Sequence, residues 1–286
     1  MSICKIRNWF VICFVTFFCF VGLAGSFLWL WHNARYIHIK HIYHASKVAF
    51  NVPEKRSLNH VGVIMDGNRR WARNAGLKPW IGHQKGVDPL RSLIELCLER
   101  NISQVTVYAL SIENLKRPQE ELDFLFNVIA RQLVDSDLTK LFDQGVRVRF
   151  YGDKTLYPDV LKPLVEQVEE KTKNNTKLEF GILLCYGGQQ EIVAAAQTLA
   201  QKVARGEVKA DAVNAQTFED CLWTGALSQP DLVIRTGFAQ RLSNFLTYKS
   251  AYSEIRFVDA FWPDVTKDML TKLFDQYQKV DRTFGA

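Results

Sequence analysis

From Ser57 onward the chain alternates short apolar runs with longer amphipathic ones, and few architectures satisfy that rhythm. Residues 61–65, 104–110, 146–151, 178–186 and 232–234 are dense in Val, Ile, Leu and aromatics, as strands buried on both faces require. Between them, residues 89–100, 120–133, 158–171 and 191–204 carry apolar side chains at helical spacing. This alternation predicts an α/β fold with a mainly parallel central sheet flanked by helices on both faces. The polar signatures fall just after the strands, at the carboxyl edge where open α/β sheets collect ligands. No internal repeat or low-complexity tract interrupts the pattern.

Ahead of that domain stands a different kind of sequence. Residues 9–31 contain no charged side chain and are rich in Phe, Val, Leu and Trp, long enough for the roughly 20 residues that cross a bilayer as a helix. Trp9, Trp29 and Trp31 sit at its ends, where interfacial aromatics belong. A cleaved signal peptide with Ala24-Gly25-Ser26 as its small-residue site is the competing reading, but the apolar run continues past that point to Trp31. The expectation is a short basic N-terminus (1–8), a single transmembrane helix (9–31), a basic juxtamembrane connector (32–57) and a catalytic domain (58–286). Lys5 and Arg7 precede the span and Arg35, Lys40 and Lys47 follow it; that slight excess favours a cytoplasmic catalytic domain.

Composition removes several function classes. The net charge of +6 is modest, and no basic stripe interleaved with aromatics follows, so nucleic acid is not expected as a partner. Cys4, Cys13, Cys19, Cys97, Cys185 and Cys221 form no CxxC pair, which implies neither zinc nor a disulfide framework. His32, His38, His41 and His44 lack a fixed ligand spacing and read as part of a polar linker.

Three polar segments carry the chemistry. The first runs from His60 to Ala72: Asp66 at a strand end, then Gly67-Asn68-Arg69-Arg70-Trp71. A carboxylate there suits Mg²⁺, which binds one or two carboxylates together with phosphate oxygens. Backbone N–H groups of the following turn and two arginines can meet a diphosphate. The second is Ser111-Ile112-Glu113-Asn114-Leu115-Lys116-Arg117-Pro118, a strand end leading into a helix. The third places Arg235, Arg241 and Ser243 within eight residues, a spacing able to clamp a second diphosphate.

Taken together, and with Gly82-His83-Gln84-Lys85-Gly86, these segments resemble the signatures of the cis-prenyltransferase family over roughly residues 58–285. The resemblance implies a polyprenyl diphosphate synthase that condenses isopentenyl diphosphate with an allylic diphosphate of farnesyl type. It implies Asp66 as essential metal ligand, and Asn114 with Ser111 at the reacting centre. The allylic diphosphate would lie against Gly67, Asn68, Arg69, Arg70, Trp71, His83, Ser111, Ile112, Glu113, Leu115 and Arg117. Isopentenyl diphosphate would meet Arg235, Arg241, Leu242 and Ser243, and Glu254 would join Asp66 in holding Mg²⁺, in a homodimer at the neighbouring site. The chain departs from the family pattern at Pro79, where many members have arginine, at Leu110 and Leu115, which replace aromatics, and at Phe238-Ala239, where Gly-Glu is usual. The C-terminal Arg282-Thr283-Phe284-Gly285-Ala286 also differs from the bacterial tail. For the growing lipid tail, Leu93, Leu122, Phe124, Leu125, Phe126 and Ile129 are tunnel candidates.

No DDxxD run occurs, which disfavours a trans-prenyltransferase, and no GxxxxGK[ST] run, which disfavours a P-loop enzyme. Two alternatives remain: a same-fold enzyme doing irregular prenyl coupling or terpene diphosphate conversion, and a non-catalytic membrane-bound subunit of a heteromeric synthase. The intact Asp-Gly-Asn-Arg segment counts against the second.

Overall fold

The computed structural model describes residues 57–134 and 137–279. Residues 1–56, and with them the expected anchor and connector, lie outside the described residues, as does the tail beyond 279. Among the described residues no helix is long and apolar enough to cross a membrane.

Six strands form one sheet in the order β3-β4-β2-β1-β5-β6, every neighbouring pair parallel. They are β1 (His60–Ile64), β2 (Gln104–Ser111), β3 (Val146–Tyr151), β4 (Leu178–Tyr186), β5 (Leu232–Arg235) and β6 (Glu254–Phe257). Five match the apolar runs. The sixth went unread because it is a four-residue edge strand whose side chains stay partly exposed, leaving no buried run to see.

The helices are α1 (Asn68–Asn74), α2 (Ile81–Lys85), α3 (Val87–Glu99), α4 (Gln119–Val134), α5 (Asp137–Phe142), α6 (Lys162–Thr172), α7 (Gly188–Ala204), α8 (Ala215–Glu219) and α9 (Lys267–Lys279). The expected helices at 89–100, 120–133 and 191–204 correspond to α3, α4 and α7. The one expected from 158 begins at 162, because Pro158 through Leu161 form a preceding turn in which the Pro158 carbonyl accepts from Leu161 N at 2.9 Å.

Strand alternation divides the apolar side chains between two faces. Val61, Val63, Leu232 and Ile234 join a large cluster with Leu93, Leu122, Phe126, Phe274 and Trp262. Ile64, Leu183, Val233, Tyr186 and Phe245 build a smaller one on the other face. The chain leaves β1 toward β2 on one side and leaves β5 toward β6 on the other. The β1/β5 seam is therefore a topological switch point, where an open α/β sheet forms a crevice beyond its carboxyl ends.

Candidate active site

Asp66 and Arg235 meet at that seam. Ile64 is in register with Arg235, so the chain two residues past β1 lies against the end of β5. Arg235 Nη2 donates to Asp66 Oδ2 at 2.7 Å, and the arginine side chain is almost wholly buried while the aspartate is about a third exposed. The other carboxylate oxygen accepts from Arg70 Nη2 at 3.2 Å. Thr236 Oγ1 and the Trp262 amide donate to the Asp66 carbonyl at 2.7 and 3.0 Å, fixing the turn itself. Arg235 Nη1 donates to Ser243 Oγ at 2.7 Å and to the Arg241 carbonyl, and Arg241 Nε reaches the same hydroxyl at 3.1 Å.

Gly67 has φ +108, a region open chiefly to glycine, and a Cβ there would stand 2.7 Å from Phe261 Cδ1. Gly82 allows α2 to lie on α1, since its Cβ would sit 2.0 Å from the Asn68 carbonyl oxygen. That contact brings His83 to the cleft. The segment after β5 is held in unusual backbone: Phe238, Ser243, Asn244 and Leu246 all have positive φ. Strained residues of this kind persist only where neighbours over-determine them. Here Asn244 Nδ2 donates to Glu113 Oε1 and to Gln190 Oε1, both at 2.8 Å, and its Oδ1 accepts from Gln189 N at 2.7 Å.

Two cavities share Asp66, Asn68 and His83 in their walls. One, of about 610 Å³, is polar and walled by Gly67, Asn68, Arg69, Arg70, Arg73, His83, Phe238, Ala239, Gln240 and Arg241. The other, of about 260 Å³, runs inward between sheet and helices. Its mouth holds Asp66, Asn68, His83, Ser111, Asn114, Arg235 and Ser243; deeper it is lined by Leu90, Val107, Ala109, Leu125, Ile129, Leu133, Phe142, Phe180 and Ile182. A register irregularity in β2 between Tyr108 and Ser111 turns the strand end toward this mouth. Ser111 Oγ then accepts from Asn114 N at 3.2 Å and caps the short 3-10 turn that presents Asn114.

Of the expected site residues, Asp66, Gly67, Asn68, Arg69, Arg70, His83, Ser111, Asn114, Arg235, Arg241 and Ser243 thus converge on one place. Others stand behind the wall. Trp71 donates to Asp264 Oδ1 at 2.7 Å; Glu113 holds Asn244; Leu115 packs on the larger core cluster and Leu242 on the smaller. Ile112 borders a separate surface groove. Arg117 turns to Glu121 rather than to the cavity. Glu254, paired with Arg256, starts β6 opposite Leu232, three residues back from the strand position level with Arg235, or roughly 10 Å at a strand's rise. Within one chain it is not at Asp66. The tunnel candidates also divide: Leu125 and Ile129 line the inner cavity, Leu93, Leu122 and Phe126 fill the core, and Phe124 lies against Trp80.

One residue of the site escaped sequence reading. Glu121, 2% exposed, gathers Arg69 Nε at 3.2 Å, Arg117 Nη1 at 3.2 Å and His83 Nε2 at 3.8 Å. The His83 imidazole, then Arg117 and Arg69, outweigh burial and hold its carboxyl below the usual range. Burial likewise opposes ionisation of Glu113, yet its own backbone amide and the Asn244 amide leave it below the ordinary value. Both are anions fixed by donors. Glu121 looked like any polar residue in the first turn of a helix; only its spacing four residues after Arg117 hinted at the pair.

A family model described as "Putative undecaprenyl diphosphate synthase" matches residues 64–285. The tritrans,polycis-undecaprenyl-diphosphate synthase (geranylgeranyl-diphosphate specific) of Methanopyrus kandleri is 41% identical over 237 residues, covering 82% of this chain and 87% of that one. Dehydrodolichyl diphosphate synthase 2 of Arabidopsis thaliana is 38% identical over 79% of this chain and 74% of its own. A crystal structure of lavandulyl diphosphate synthase from Lavandula x intermedia with dimethylallyl diphosphate superposes with TM-score 0.76 at 33% identity, covering 80% of this chain and 98% of that one. The arginine-flanked carboxylate at the switch point and these matches agree: the chain belongs to the cis-prenyltransferase family, enzymes that condense isopentenyl diphosphate with an allylic diphosphate.

Proposed function

We propose that this enzyme extends an allylic diphosphate of farnesyl type with isopentenyl diphosphate to a long Z-polyprenyl diphosphate, a lipid-carrier precursor. The observation that carries the reading is the apolar cavity that continues from Asp66 past Leu125 and Ile129 to Phe142, a space suited to a hydrocarbon tail. The similarity to the Lavandula enzyme, together with this chain's own Phe238-Ala239 in place of the family's Gly-Glu, motivates irregular coupling as a second reading.

Arg69, Arg70 and Arg73 face the polar cavity and would take the allylic diphosphate through charge-assisted hydrogen bonds. Arg235, Arg241 and Ser243, already sharing hydrogen bonds, would take isopentenyl diphosphate. Two like-charged substrates repel, and these cations, gathered at one cleft, offset that repulsion. As the allylic C1–O bond breaks, the diphosphate leaves with the electron pair. The isopentenyl double bond attacks C1, and the proton lost from the isopentenyl unit passes to the departed diphosphate, with Asn114 placed beside the reacting centre.

The residues present fit Mg²⁺. Asp66 offers a partly exposed carboxylate whose Oδ1 is held, among the described residues, by the half-exposed Arg70, which can exchange partners, and hard cations favour one carboxylate plus phosphate oxygens. Mg²⁺ bound there supplies Lewis-acid assistance to diphosphate departure. Glu254 would contribute from a second copy in a homodimer, whose existence light scattering of the purified chain would test. Residues 9–31 would hold the enzyme on the bilayer where its product belongs, the catalytic domain on the cytoplasmic side.

Incubation of the full chain with farnesyl diphosphate and labelled isopentenyl diphosphate, followed by thin-layer separation of the dephosphorylated products, is the test. A ladder ending in a long polyprenol is expected, lost on chelation. A single short branched product would favour irregular coupling, and no product at all would remove both readings.

A further inference from the structure

Phe238 is an anomaly. Its backbone is left-handed, φ 61, where bulky residues are rare, and its side chain is 54% exposed in a cleft bordered by four arginines, Asp66, Asn68, His83 and Gln240. The family pattern has glycine there, which would adopt this backbone without strain. The ring is not idle. It meets Phe261 edge-on, centroids 5.2 Å apart at 73°. Phe261 in turn lies beneath the Arg70 guanidinium, 5.4 Å from the ring centroid. Arg70 is half-exposed, and it also makes the 3.2 Å bond to Asp66, the very oxygen the proposed metal would take.

We propose that Phe238 is a positioning residue that clamps Phe261 from the solvent side so that Arg70 stays aimed into the diphosphate cleft. Gly67 lies so close to Phe261 that a Cβ there would fall 2.7 Å from its Cδ1, and Phe238 meets the same ring edge-on. The platform matters most once Asp66 exchanges Arg70 for a cation, because the Asp66 bond then no longer steadies the arginine while the Phe261 ring still does. The inference rests on the diphosphate reading of this cleft.

The test is titration of the full chain with inorganic pyrophosphate, with KM and kcat measured alongside for farnesyl diphosphate. Phe238→Gly suits the backbone and should fold with an undiminished Tm. Its Kd for pyrophosphate should rise about 2- to 5-fold, the range of an exposed cation–π contact. The loss should fall on KM, Phe238→Tyr should retain wild-type affinity, and Phe261→Leu should reproduce the loss with no addition in the double variant. In an Arg70→Ala background, Phe238→Gly should change nothing. Wild-type affinity in Phe238→Gly, or an equal loss with Arg70 already removed, overturns the inference alone. A wild-type chain that does not bind pyrophosphate overturns the diphosphate reading and the inference together.

Discussion

The two ends of β1 treat polar side chains in opposite ways. At the start of the strand, His60 is fully buried; its Nδ1 lies 2.8 Å from the Ser228 carbonyl and its Nε2 2.8 Å from Thr106 Oγ1. Both ring nitrogens have protein partners, and nothing is left for a ligand. Beyond the other end, Asp66 is held by cations that belong equally well on a diphosphate. One end is finished as protein. The other leaves a carboxylate and its arginines facing an open cavity, so a single strand both anchors the sheet and borders the cleft of the proposed site.

The sharpest way to break this comparison is Asp66→Asn, which keeps the shape and removes the charge. Turnover of labelled isopentenyl diphosphate should fall about a thousandfold or more, on the scale of losing a main electrostatic contact. A variant retaining a tenth of wild-type activity would make this end as structural as the other.

Next in size is acid sensitivity at the closed end. Burial lowers the His60 pKa from 6.5 to about 4. Between those values the unfolded chain binds the proton and the fold does not, so stability is present above about pH 6.5 and lost as the pH falls toward 4. The full effect is about 3 kcal/mol. Urea unfolding at pH 7 and pH 4.5 would measure it, and His60→Gln should flatten the difference.

At the open end, Glu121→Gln strips the carboxylate from Arg69, Arg117 and His83. It should cost about 2 kcal/mol of stability, as for hydrogen bonds to charged groups, and raise KM for the allylic substrate. A calorimetric scan and steady-state kinetics on one preparation give both numbers. Smallest is Thr106→Val, which orphans His60 Nε2. About 1 kcal/mol of stability should go, with turnover untouched; reduced turnover would mean the two ends are coupled.

The sequence disclosed the open end better than the closed one. Buried parallel strands announce themselves as apolar runs, and the charged residues after them, Asp66 and Arg235, conflict so plainly with their surroundings that a ligand explains them. His60 gave no such signal, because a buried histidine satisfied by a serine carbonyl and a threonine from other elements is invisible to local spacing. The inner cavity shows a second limit. Helical periodicity in α4 reveals which side chains turn inward, but Leu125 faces an opening and Phe126 faces packed core, and only the three-dimensional arrangement separates them. Phe238 exposes a third: its left-handed backbone reads as nothing in a string of letters.

The contact between Gly82 and the Asn68 carbonyl has a mechanical consequence. Because an added methyl would fall 2.0 Å from that oxygen, the two short helices are spaced by a hydrogen atom, and the imidazole one residue further on inherits the spacing. An alanine at position 82 would act as a shim, levering His83 away from Asn68 without touching any charge in the cleft. The alignment of this wall of the polar cavity thus hangs on the absence of one carbon atom.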